Sequence, residues 1–100
     1  MKIIKITVLK KVEHSDLIEK YENKIDDACQ VREGQVFYAL NGEKPKELCD
    51  SAWTTIEPFA KSLLNGEGNF FDGWMKDPMT AMISCNDGFR PVTFFVEVEE

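Results

Sequence analysis

Residues 2–12 alternate in part: Ile4, Ile6 and Val8 fall on one side of an extended chain, and Lys5, Thr7 and Leu9 on the other. That period of two predicts a strand with one buried face. A second strand is expected over 35–40, Gln-Val-Phe-Tyr-Ala-Leu, entered through Gly34 and closed by the turn chemistry of Asn41-Gly42. The last quarter reads as a hairpin. An apolar run over 81–85 ends in Cys85, Asn86-Asp87-Gly88 makes a tight turn, and 91–98 alternates again. Asp87-Gly88 supplies residues that tolerate positive φ, which short hairpin connections require.

Two segments change period. Ser15 is placed to cap a short helix with Asp16 in its first turn and Leu17, Ile18 and Tyr21 at helical spacing, ending near Asn23. The main helix is expected over 45–65, where Leu48, Cys49, Ala52, Trp53, Ile56, Phe59, Ala60 and Leu63 draw one apolar stripe. Pro45 suits its first turn, and Asn65-Gly66 its end. Pro58 predicts a kink or a division into two helices. The segment 26–30 reads as a loop. Segment 66–78 holds glycines and a proline together with Phe70, Phe71, Trp74 and Met75, too apolar for a surface loop, and is expected to fold back over the core. The order β-α-β-α-β-β predicts an α+β domain, a small and mainly antiparallel sheet with a long, kinked helix on one face. One hundred residues suit one domain, 1–100.

Composition narrows the class. With 43% apolar and 30% charged residues the chain is an ordinary globule. A net charge of −6 argues against a nucleic-acid partner, which needs a clustered basic surface. Lys2, Lys5, Lys10 and Lys11 cluster only in the first strand, where lysines commonly guard a sheet edge. No apolar run approaches the ~18 residues of a membrane span, and the alternating N-terminus lacks a signal-peptide core. A cytoplasmic protein with no membrane partner is therefore expected. Three cysteines without close spacing fit reduced thiols better than a disulfide framework.

Three local patterns stand together: Cys29-Gln-Val-Arg-Glu-Gly34-Gln35-Val-Phe37, Cys49-Asp-Ser-Ala52-Trp53, and Cys85-Asn-Asp87-Gly88-Phe-Arg90-Pro91-Val92. With the opening Lys-Ile-Thr-Val strand they resemble a family of small uncharacterised prokaryotic proteins of about this length. The resemblance covers nearly the whole chain. Its members carry a cysteine before a Gly-Gln-x-Phe strand start, a Cys-x-x-Ala-Trp helix start and an Asp-Gly-x-Arg-Pro-Val hairpin; Pro58 departs from their helix pattern. No activity follows from the resemblance, because none is established for the family.

Candidate chemistry lies in three places. Cys29, Cys49 and Cys85, met in space, could hold a soft metal such as zinc, with His14, an aspartate or water in the fourth position. Simple packing is favoured, since free cysteines are among the most buried residues and Cys49 lies on the helical stripe. A reactive Cys49 is helped by a helix start and opposed by the flanking charges of Glu47 and Asp50. His14, the only histidine, reads as solvated. In the hairpin, Arg90 either pairs with Asp87 or binds a carboxylate or phosphate, and Pro91 would begin an edge strand. The aromatic loop 70–75, with Trp53 beneath it, reads either as a lid on the core or as a surface for a ligand.

The chain contains no Gly-rich phosphate loop, His-Glu-x-x-His or Gly-x-Ser-x-Gly motif. The expectation is a non-enzymatic module that binds a small ligand or a protein partner through Phe71, Trp74, Trp53, Asp87 and Arg90, with association of copies left open. A metal-thiolate protein using Cys29, Cys49 and Cys85 is the alternative, and a thiol-based redox or catalytic protein the third reading.

Overall fold

A computed structural model describes residues 2–25 and 30–99. Among the described residues six elements follow in the expected order: β1 (Ile3–Lys11), α1 (Ser15–Tyr21), β2 (Val36–Leu40), α2 (Asp50–Leu64), β3 (Thr80–Ser84) and β4 (Val92–Glu99). The strands form one antiparallel sheet, ordered β2-β1-β4-β3, and α2 lies against β4, β3 and β1. The fold is thus α+β, a small antiparallel sheet with a long helix on one face.

Alternation decides which side chains meet that helix. Ile4, Ile6 and Val8 of β1, Phe37 and Ala39 of β2, Ala81 and Ile83 of β3, and Val92, Phe94 and Val96 of β4 are all buried. From the helix come Ala52, Trp53, Ile56, Ala60 and Leu63, spaced by three or four residues as one stripe requires. Leu48, just before the helix, is also buried.

The helix is shorter than its pattern suggests. Residues 45–48 form a separate turn, with the Leu48 amide donating to the Pro45 carbonyl at 3.2 Å and Lys44 Nζ to the Leu48 carbonyl at 2.6 Å. Pro45 is therefore not in the first helical turn, and Cys49 is the N-cap, exposed rather than on the buried stripe. Pro58 does not divide the helix, which runs unbroken from Asp50 to Leu64. Pro58 and Thr54, whose carbonyl loses its donor, both face solvent, where water replaces the missing bond. The end is a Schellman motif: Gly66, at φ 79°, donates to Leu63 at 3.1 Å and Glu67 to Ser62 at 2.9 Å.

Other expectations are corrected as well. Ser15 is the first helical residue of α1, not its cap; His14 holds that position and no side chain caps the helix. Nor does α1 bury its apolar residues, since Leu17 is 38% and Tyr21 67% exposed. Seven residues make under two turns, too few to form an apolar stripe that docks by itself. Lys5 guards no edge, because it pairs with β2 on one side and β4 on the other, and Pro91 precedes an interior strand rather than starting an edge one. The β3–β4 connection is not a tight turn on Gly88. Ladder pairing resumes only where the Cys85 amide meets the Val92 carbonyl at 3.0 Å, and Gly88 has no positive φ. The bend is made instead by Asp87, whose Oδ1 accepts from the amides of Phe89 at 2.8 Å and Arg90 at 3.2 Å.

Candidate functional site

The segment between α2 and β3 folds back on the core as its apolar content demands. Its neck is closed by the Asn69 amide donating to the Pro78 carbonyl at 2.7 Å. Gly68 sits in that neck, and a Cβ there would collide with the Pro78 carbonyl and the Met79 sulfur. Beyond it the chain makes a tight bend through Asn69, Asp72 and Gly73, all at positive φ, with the Gly73 amide donating to Asn69 Oδ1 at 2.8 Å. At the far side Asp77 leads into β3: Oδ1 accepts from the Met79 amide at 2.9 Å, and the carbonyl from Thr80 Oγ1 at 2.7 Å.

This frame sorts the aromatic side chains into two groups. Phe70 stands edge-on to Phe59 of α2 at 5.0 Å, and Phe71 lies 6.3 Å from the same ring. The helix ring that meets the loop is Phe59; Trp53, expected beneath it, is buried in the core at 9% exposure. Trp74 turns the other way, stacked on Phe71 at 6.2 Å and 83% exposed. Phe71, Trp74 and Met75, with Met82 of β3, line an open groove of about 400 Å³. Met82 was not singled out in the sequence. Its signal was available, since in Thr-Ala-Met-Ile-Ser it points opposite to Ala81 and Ile83 and so away from the helix.

The hairpin candidates lie at the other end of β3. Arg90 forms a bidentate pair with Glu22, at 2.9 and 3.1 Å, with both side chains largely buried. The hydrogen bonds to Glu22 hold the Arg90 pKa above its ordinary value against burial, which lowers it, and the charges of Glu22, Glu13 and Asp87 add to the rise. With its carboxylate supplied by Glu22 and its turn by Asp87, Arg90 acts as a tether. It joins the end of α1 to the hairpin, beside the backbone bond from His14 to Phe89 at 2.9 Å. The groove and the Asp87–Arg90 hairpin are therefore two places, not one site.

Of the thiols, Cys29 lies outside the described residues. Leu64 at the end of α2 is near Gly42, which follows β2. The helix thus finishes at the Ile3 end of the sheet, and Cys49 at its start lies toward the opposite end, where β3 delivers Cys85. Both are free thiols. Cys85 is half-buried, and its sulfur accepts from the Val92 amide at 3.3 Å. Among the described residues no three His, Cys, Asp or Glu side chains are grouped as metal ligands would be, and no helix is long and apolar enough to cross a membrane. No family model, curated protein or solved structure matches this chain.

Proposed function

We propose that this protein is a non-enzymatic binding module that takes apolar groups of a protein partner into the groove formed by Phe71, Trp74, Met75 and Met82. One observation carries the reading: a tryptophan 83% exposed, stacked on a phenylalanine, at the mouth of an apolar groove of about 400 Å³. Leaving an indole in water forgoes the burial free energy of its whole apolar surface, roughly 25 cal/mol per Å². A single exposed apolar side chain is ordinary, but a contiguous group of them marks an interaction site. The methionines suit an adaptable surface, because their unbranched thioethers repack around varied shapes. The loop is braced at its neck, so the rings are held before a partner arrives and little ordering entropy opposes binding.

The groove has few groups able to act on a substrate. Among the described residues its lining side chains are two aromatics and two methionines, none a general acid or base. The test is a titration of dilute protein with anilinonaphthalene sulfonate, an apolar fluorescent probe. Saturable binding, transfer of excitation from tryptophan to the probe, and loss of both in Trp74→Ala are the expected results. Probe binding that is unchanged in Trp74→Ala and in Met82→Lys would remove the groove from the function.

A further inference from the structure

The sheet face that α2 leaves open is not the polar surface a solvated face normally presents. On β2 its residues are Val36, Tyr38 and Leu40, which are 39, 48 and 52% exposed, and on β3 it carries Met82 at 40%. The register arranges the face in rows across all four strands. Val36, Thr7, Phe95 and Met82 form one row; Tyr38, Lys5, Glu97 and Thr80 form the next. An antiparallel sheet with one face in water should alternate polar residues outward, yet Val-Phe-Tyr-Ala-Leu of β2 is apolar on both sides.

We propose that a second copy of this chain covers the open face, related by a two-fold axis parallel to the strands and midway between β1 and β4. This rests on the reading of the groove as a protein-binding site and names its occupant. The charges point to a copy rather than to an unrelated surface. Lys5 and Glu97 stand side by side on neighbouring interior strands, one on each side of that axis. The rotation sets Glu97 of each copy over Lys5 of the other, so that neither charge is buried without an opposite. The same rotation lays β2 over β3. Val36 then meets Met82 of the other copy, Tyr38 approaches the start of its β3, and the groove beside Trp74 receives the apolar side chains of β2. The other charged residues of β1 and β4 on this face, Lys10 and Glu99, lie at its two ends. Val36, Tyr38, Leu40, Met82 and Trp74 are the large apolar side chains that this interface would bury.

The test uses the full chain, with mass measured by light scattering over a wide dilution series and folding checked by circular dichroism. Wild type should show twice the chain mass at high concentration. K5E gives a face with two carboxylates and E97K a face with two ammonium groups; each alone should run at the chain mass, and an equimolar mixture should regain the double mass. Neighbours within one chain cannot produce that regain, because each variant retains its own like-charged pair. Tyr38→Lys, at a half-exposed site away from the helix, should also give the single mass and serves if a charge variant fails to fold. A double mass that persists in K5E, E97K and Tyr38→Lys would overturn the proposal. So would a wild type at the chain mass throughout. If such a monomer still binds the apolar probe through Trp74, the second copy falls and the groove's binding role stands.

Discussion

The two faces of one sheet use the same four strands and have opposite physical status. Toward α2, Ile4, Ile6, Ala39, Ala81, Phe94 and Val96 are 0% exposed; on the other side Tyr38, Leu40 and Met82 keep 40% or more of their surface in water. What separates them is the presence of a helix, not the hydrophobicity of the strands. The covered face holds the fold together, and the open face, where Val36, Tyr38, Leu40 and Met82 are apolar without being covered, is where binding free energy remains available. Substitutions should therefore divide sharply by side. Phe94→Ala, which empties a fully enclosed site, should cost about 3–5 kcal/mol of unfolding free energy. Tyr38→Ala, measured on dilute chain, should stay under ~1 kcal/mol. Urea denaturation reads both, and a similar loss from the two would erase the distinction.

The covered face was the legible one. Period two in residues 2–12 and 91–98 and period three-to-four in 48–63 pick out most of the observed core, because burial against a single layer imposes those periods on any sequence that does it. What pattern could not show was partnership. Cys49 fits the helical stripe by spacing but caps the helix in water, because the Pro45 turn delays the helix start to Asp50. Arg90 found its carboxylate at Glu22, 68 positions away, an encounter no local motif encodes. Met82 and β2's outward residues were readable as apolar, but that they stay uncovered depends on there being one long helix and not two.

A loop substitution should sharpen the contrast at the margin between the faces. Gly68→Ala forces a methyl group into the Pro78 carbonyl and the Met79 sulfur, and overpacking of this kind costs about 1–3 kcal/mol. Its consequence should reach the groove, because the neck it opens holds Phe71 and Trp74 in place. We expect weaker probe binding alongside the lost stability. A Gly68→Ala protein with wild-type probe affinity would show that the rings need no bracing.

The tether between α1 and the hairpin should matter less to the core, since α1 buries no residue. Arg90→Ala leaves Glu22 without its cation in a largely buried position. The expected result is faster hydrogen exchange at Ile18 and Glu22, with the strand amides protected as before. The sign of any pH effect follows from the raised Arg90 pKa. A raised folded-state value means the pair's contribution is complete below arginine's ordinary pKa and lost only above it, so raising pH from 7 to 10 should not release α1. Release in that range would assign the tether to some other titrating group.

The smallest effect concerns Cys49 and carries the opposite sign from the one packing would give. Were this thiol in the core, replacing it by serine would bury a hydroxyl without a partner, at ~1–3 kcal/mol. It is instead an N-cap in extended conformation, φ −69° and ψ 153°, with no side-chain capping bond. Serine is among the best residues for that position, because its oxygen accepts from the free amides of the first turn. Cys49→Ser should therefore stabilise the protein by about 0.5–1 kcal/mol, read as a raised denaturant midpoint at unchanged slope. The measurement also tests the metal-thiolate alternative. If Cys49 joined a metal site with Cys29 and Cys85, the substitution would destabilise protein purified without chelator, and adding chelator to wild type would reproduce the loss. A gain in stability, indifferent to chelator, assigns Cys49 to the start of α2 and removes it from metal binding.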